Sequence, residues 1–410
     1  MAGVLDGIKV VSVEVHWAGP LVSAYMADWG ADVIKVEPPA GEQFRGTTRI
    51  EGVSTSREVA GFQVNPSMQI LNRNKRSLAI NLKTEAGRDV LCKLVEKADV
   101  FLSNYQIISL KKLRLDYDTL CQINPKLVYA VVTGYGSKGP DKDEEAYHWV
   151  ASWARPGIQH TVTKPGDYPA RTPTGMGDIN ASVHAVAGIA AALFNRERTG
   201  KGQELECSLF HTALWSSLGE IQNALSGMQS RGRDEGESAR PYAWQPLHAA
   251  YRTKDDRWLQ FSLIQADRYW PAFCQALERP DLENDPRFNN VEKRRENHVE
   301  LLNILDEIFA SRTLDEWDKR CKEHHLIYSR VQTPEEVVKD PQALANNCFV
   351  DLDHPAGQMK VLASPTNFRQ NPASVRMPAP ELGQHTEEIL LETGYSWEDI
   401  GSLKDEGVIP

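Results

Sequence analysis

The segment from Ile8 to Glu37 constrains this chain more than any other. Ile8–Val15 is rich in β-branched residues, which suit a pleated, buried surface. Gly19-Pro20 punctuates that run, Leu21–Trp29 has the texture of a helix, and Gly30 ends it. Ala31–Glu37 (ADVIKVE) is a second β-branched run. Strand, helix and strand at this spacing make a βαβ unit, the connection that parallel strands require. The rhythm continues: Ser77–Leu82, Asp99–Tyr105 and Leu127–Thr133 read as strands. Thr84 stands where it would cap a helix over Glu85–Lys97, with acids early and lysines late. The first ~140 residues are therefore expected to form an open, doubly wound α/β domain.

Pro38–Met68 interrupts this pattern as a polar stretch without periodicity, and long loops of that kind are usually functional or mobile. Farther on, Ile179–Arg198 reads as a long helix of small residues, Gln203–Leu209 as a strand and Phe210–Leu225 as a helix. Ser230–Ala239 (SRGRDEGESA) lacks core-forming residues and reads as a linker. The texture then changes. Ala249–Thr253 and Trp258–Leu263 flank a turn and predict a hairpin. Ala266–Leu277 and Val299–Phe309 predict helices, and Thr313 with Glu316 forms a capping-box pattern. The expected division is a large α/β part over 1–229, a linker over 230–239, a small α+β domain over 240–328 and a return segment over 329–410.

A chain of 410 residues holds two or three domains, and 41% apolar with 25% charged residues is ordinary for a globular protein. The net charge of −10 argues against nucleic acid or an anionic membrane surface as partner. The six cysteines show no C-x-x-C spacing, so no metal site is expected and reduced cytoplasmic thiols are. The longest small-apolar run, Ala185–Phe194, is too short to span a bilayer, and the N-terminus lacks a signal-peptide layout. A cytoplasmic protein that engages no membrane is the expectation.

Three segments are candidates for chemistry. In Thr174-Gly175-Met176-Gly177-Asp178-Ile179-Asn180, an aspartate follows two near-adjacent glycines and opens a helix. Asp178 reads as an N-cap, and equally as a reactive carboxylate whose ionised form the helix start favours; the two roles are compatible. Gly134-Tyr135-Gly136-Ser137-Lys138-Gly139-Pro140 follows a strand, as a plain turn or as a phosphate cradle. Asn72-Arg73-Asn74-Lys75-Arg76 is a basic run, either a solvated loop or a site for a nucleotide diphosphate. No H-E-x-x-H, G-x-S-x-G or Cys/His constellation supports a zinc or serine hydrolase.

Taken in order along the chain, several segments resemble the family III CoA transferases, of the formyl-CoA transferase and carnitine-CoA transferase type. They are Leu5–Val13 (LDGIKVVSV), Ala18–Glu37, Asn72–Leu82 (NRNKRSLAINL), Leu127–Pro140 (LVYAVVTGYGSKGP), Gly177-Asp178 and Arg198–Ser208 (RTGKGQELECS). The resemblance implies a Rossmann-like large domain built from both chain ends, an inserted small domain, and a homodimer of interlocked subunits. It implies transfer of CoA from an acyl-CoA donor to a carboxylic acid, with no permanently bound cofactor and CoA thioesters as substrates. The family's acylated aspartate matches Asp178. Its CoA-lining positions match Trp17, Asn72, Lys75, Arg76, Asn104, Tyr105, Lys112 and Tyr135, and His148 and Gly136 fall at the substrate pocket. The Lys138–Asp143 segment looks most like members that act on 2-hydroxy, aryl or branched acids.

Departures accompany the match. After the third strand the chain reads Asn104-Tyr105-Gln106-Ile107, not the family's usual Asn-Phe followed by glycine and proline, and Lys112 replaces a usual arginine. An aspartate suits the transfer, because an acyl anhydride keeps the activation of the thioester while a serine ester would lose it. The alternative is an α-methylacyl-CoA racemase, which resembles the same fold. It needs a second acid/base pair, usually His-Asp, where this chain has Tyr147-His148-Trp149.

Overall fold

The computed structural model describes residues 2–47, 49–50, 53–54, 57–59, 62–164, 166–228 and 244–410. The chain forms two compact units: Met1–Gln159 with Arg171–Gln222 and Pro341–Pro410, and His160–Ala170 with Asn223–Asp340. The expected boundaries at 229 and 329 thus differ from these, and the expected linker over 230–239 lies outside the described residues.

The first unit is built on a six-stranded sheet. Its strands are β1 (Lys9–Val13), β2 (Asp32–Glu37), β3 (Lys75–Ala79), β4 (Val100–Ser103), β5 (Val128–Thr133) and β6 (Gln203–Ser208), in the spatial order β6-β5-β4-β1-β2-β3. Every pairing is parallel. Parallel strands covered on both faces read as unbroken apolar runs because alternate side chains enter two different cores. Val11, Val13, Phe101 and Tyr129 join one core, with helix α2 (Glu85–Glu96) and the C-terminal helices Thr386–Glu392 and Trp397–Asp405. Val10, Val100, Leu102 and Val128 join the other, with helices α1 (Ala18–Asp28) and α3 (Met176–Thr199).

Local differences from the sequence reading have simple causes. Gly19 and Pro20 lie inside the first turn of α1, where proline removes no helical hydrogen bond because the first N–H groups have no intrahelical acceptor. β3 begins at Lys75, not Ser77, which draws Lys75 and Arg76 of the basic run into the sheet. α3 has 24 residues and is apolar and long enough to cross a membrane by length and composition. Here Ala181, Ala185 and Ala192 of one flank are fully buried in the core that α1 shares.

In the second unit, Ala250–Arg252, Trp258–Phe261 and Tyr328–Arg330 form a three-stranded antiparallel sheet. Helices Ala266–Ala276, His298–Phe309 and Leu314–Glu323 pack their aromatic residues on it, and the Thr313–Glu316 capping box is present.

Candidate active site

In the first unit's sheet the order of connection reverses between β1 and β4, and a crevice opens at the carboxyl ends of strands flanking such a reversal. Asn104, just after β4, braces that point. Its Oδ1 accepts the Val15 N–H at 2.9 Å and its Nδ2 donates to the Val15 carbonyl at 2.8 Å. A cavity of about 900 Å³ lies here. Of the residues singled out from sequence, it brings together Trp17, Asn104, Tyr105, His148 and Asp178. Burial pushes the Tyr105 hydroxyl up to about 12, so it is a neutral donor at any physiological pH.

Asp178 is the third residue of α3, so it does not cap that helix; Gly175 takes the cap position. The glycine is needed there twice over. Its φ is +80°, and a Cβ at this position would lie 2.5 Å from the Trp17 ring. Gly177 likewise lets Ser152 approach, since a Cβ there would lie 2.3 Å from the Ser152 Cβ. The Gly175 N–H donates to His148 Nε2 at 3.2 Å. The Asp178 side chain is 9% exposed, and no hydrogen bond to its carboxylate is present among the described residues. Burial alone pushes its carboxyl up to about 7. An under-solvated carboxylate of this kind is more nucleophilic than one in water, and half of it is ionised near neutral pH.

The other sequence-derived residues lie elsewhere. Lys75 is fully buried: its Nζ donates to Glu14 at 2.8 Å, to the Pro20 carbonyl at 3.0 Å and to Asn72 Oδ1 at 3.1 Å. Burial lowers its amine to about 8 against the opposing attraction of Glu14. Asn72 Oδ1 also accepts from Lys35 at 2.8 Å, and Lys35 is ion-paired with Glu42 on the cavity wall. Arg76 is engaged by Asp32 at 2.7 Å, Glu392 at 2.8 Å and Glu388 at 3.2 Å. These side chains reach carboxylates of the chain itself, because β3 starts two residues earlier than its apolar pattern suggests. Lys112 is exposed on the helix Ile107–Leu113. Tyr135 carries the Arg155 guanidinium 4.7 Å over its ring, and the Gly136 N–H donates to Thr133 Oγ1 at 3.1 Å.

Among the wall residues that sequence reasoning missed are His16, Glu42 and Phe44. His16, with φ +59°, sits between β1 and α1, and its ring lies edge-on to Tyr147 at 5.7 Å and to Phe44 at 6.3 Å. Its N–H donates to Glu42 at 2.8 Å. For His16 a signal existed, since any residue just past the end of β1 reaches the crevice. Phe44 and Glu42 stand in the aperiodic stretch after β2, where no pattern marks them.

A doubly wound sheet with a desolvated carboxylate at its switch-point cavity is the arrangement of an α/β enzyme's active site. Residues 5–386 match CoA-transferase family III, and the chain belongs to that family. It is 36% identical to the (R)-2-hydroxy-4-methylpentanoate CoA-transferase of Clostridioides difficile, covering 99% of both chains. It is 33% identical to the cinnamoyl-CoA:phenyllactate CoA-transferase of Clostridium sporogenes, covering 98% of this chain and 97% of the relative. The crystal structure of a CaiB/BaiF family protein from Brucella suis superposes with a TM-score of 0.82 at 28% identity, covering 96% of this chain and all of the other.

Proposed function

We propose that this protein moves CoA from an acyl-CoA to a carboxylic acid, with Asp178 as the group that is acylated. The observation that carries the reading is the buried Asp178 carboxylate, unpartnered at the cavity wall. It attacks the thioester carbonyl, and CoA leaves as the thiolate. The product is a mixed anhydride of Asp178 and the donor acid. The thiolate then attacks the Asp178 carbonyl, which frees the donor acid and leaves an aspartyl-CoA thioester. An acceptor carboxylate displaces the thiolate to form a second anhydride. The thiolate attacks the acceptor's acyl carbon, giving the new acyl-CoA and restoring the Asp178 carboxylate. Each intermediate keeps the activation of a thioester, and burial of the site slows its loss to water.

In this reading Trp17, Asn104 and Tyr105 contact the reactive end of CoA, because they share the cavity with Asp178. Lys112, Tyr135 and Gly136 serve the outer part of the ligand, while Asn72, Lys75 and Arg76 act through the fold. His148 holds the turn that presents Asp178. The substrates are 2-hydroxy, aryl or branched acids, a reading supported by the activities for which the two relatives are named. The protein works as an interlocked homodimer in the cytoplasm, a location supported by the six free cysteines.

The test is trapping. After incubation with an acyl-CoA, hydroxylamine should convert Asp178, and no other carboxylate, to a hydroxamate detectable by mass spectrometry. Asp178→Ala should lose transfer by at least about 1000-fold and still bind CoA. Turnover that survives in Asp178→Ala, or a label on another residue, overturns the assignment.

A further inference from the structure

Four aromatic rings meet at one end of the cavity. His16 lies edge-on to Phe44 and to Tyr147, and Trp17 lies edge-on to Phe44 at 6.2 Å. The carboxylates on the cavity wall are Glu42, Glu145 and Asp178. Rings attract an apolar side chain, so these walls favour an acyl group that is aryl or branched.

Among these rings His16 is held with unusual care. Its backbone occupies the left-handed region at φ +59°, a conformation that costs a non-glycine residue free energy and persists only when its surroundings enforce it. The enforcement is visible. The His16 N–H is bonded to Glu42, and Glu42 is fixed by its buried pair with Lys35. The ring Nε2 lies 3.3 Å from Gln43 Oε1. With Nε2 as the donor to that amide oxygen, Nδ1 is the ring's acceptor. His16 is half-buried beside the Trp17, Phe44 and Tyr147 rings, and an acceptor among such rings is suited to a single hydroxyl donor.

We infer that His16 is a specificity-determining residue that accepts a hydrogen bond from the 2-hydroxyl of the acyl group, with Gln43 fixing its tautomer and Trp17, Phe44 and Tyr147 receiving the side chain. The inference rests on the transferase reading and deepens it by assigning the substrate's hydroxyl to a residue. Acids without that hydroxyl leave Nδ1 unpaired, and sites built around a hydrogen bond discriminate against analogues that lack it.

The experiment compares acceptors within one protein, so that the active fraction cancels. With a fixed acyl-CoA donor, kcat/KM is measured for 2-hydroxy-3-phenylpropanoate, as each enantiomer, and for 3-phenylpropanoate. The wild type should prefer one hydroxylated enantiomer by about 10-fold or more. His16→Gly keeps the left-handed backbone at no steric cost and should bring that ratio near one. Gln43→Leu leaves the ring in place, frees its tautomer and should lower the ratio by a smaller factor, which keeps the test available if His16→Gly folds poorly. A wild-type ratio near one, or a ratio unchanged in the variants, overturns the role of His16 and leaves the transferase reading intact. Failure of every acceptor to receive CoA overturns that reading, and this inference with it.

Discussion

The Gly175 N–H and His148 Nε2 are joined by a hydrogen bond of 3.2 Å, so the imidazole is an acceptor for the very turn that presents Asp178. A nitrogen occupied in this way carries no proton to deliver to a substrate carbon. In the proposed reading His148 is a positioning residue, and the first prediction separates the transferase from a racemase. The wild-type enzyme in deuterium oxide should put no deuterium at the α-carbon of an acyl-CoA while it exchanges CoA between acids. His148→Ala should lower kcat by about 10–100-fold through loss of the turn's geometry. His148→Gln, whose amide oxygen accepts the same N–H, should recover part of that loss. Mass spectrometry of the recovered thioester decides the matter: deuterium at the α-carbon would return the racemase to consideration.

The second prediction concerns pH. Asp178 has an ordinary aspartate value of 3.8 when unfolded and about 7 in the fold. Between those values the native state binds the proton and the unfolded state does not, so stability is lost as pH rises through the window. Asp178→Asn stays neutral throughout. The variant and the wild type should be similarly stable near pH 4, and the variant more stable above pH 7 by on the order of 2–4 kcal/mol. Urea unfolding across that range reads the difference directly. Activity runs the opposite way: kcat/KM should rise through an apparent pKa near 7, because the ionised carboxylate is the nucleophile.

How far the sequence foretold these features depends on where the signal resides. The sheet was readable because a doubly covered parallel strand is apolar at every position, as β5 (VYAVVT) is. Asp178 was readable because two glycines beside an acid mark a close approach of backbone and ligand. Its position in the helix was not, because the helical bonds begin before the first small-residue repeat, and Gly175 instead of Asp178 takes the cap. The burial of Lys75 in the basic run after Leu71 was not readable for a related reason. Lysine and arginine look solvated in a sequence, and nothing local announces that Glu14, sixty-one positions from Lys75, waits inside the fold to receive it.

The third prediction follows from that burial. Lys75 and Glu14 are both inaccessible to solvent, so removing one partner strands the other's charge. Lys75→Ala should cost roughly 3–5 kcal/mol of stability, read by chemical denaturation. Arg76→Ala removes pairs to half-exposed acids and should cost about 1 kcal/mol or less. Neither change should reduce the salt sensitivity of CoA affinity in the folded protein, because neither side chain is free to meet a phosphate. A marked reduction in a well-folded Arg76→Ala variant would put that guanidinium back at the nucleotide.

The fourth prediction concerns assembly. Met176, Ile179 and Val183 recur at helical spacing along α3 and are exposed, as are Phe194 at 66% and Trp215 at 60%. Large apolar side chains grouped on successive turns imply a covering surface, and a second copy of the chain supplies one in the interlocked homodimer proposed above. Subunits threaded through one another cannot part without unfolding, so dissociation and unfolding become one event. The unfolding midpoint should then rise with protein concentration, and dilution of the native protein should release no folded monomer. Sedimentation equilibrium paired with denaturation at several concentrations tests both parts. A stable folded monomer at micromolar concentration would rule the arrangement out, and the apolar flank of α3 would then need another partner. Replacing Val183 with aspartate sharpens the outcome: in an obligate dimer the variant should fail to accumulate as folded protein, whereas a natural monomer would tolerate the charge on an exposed face.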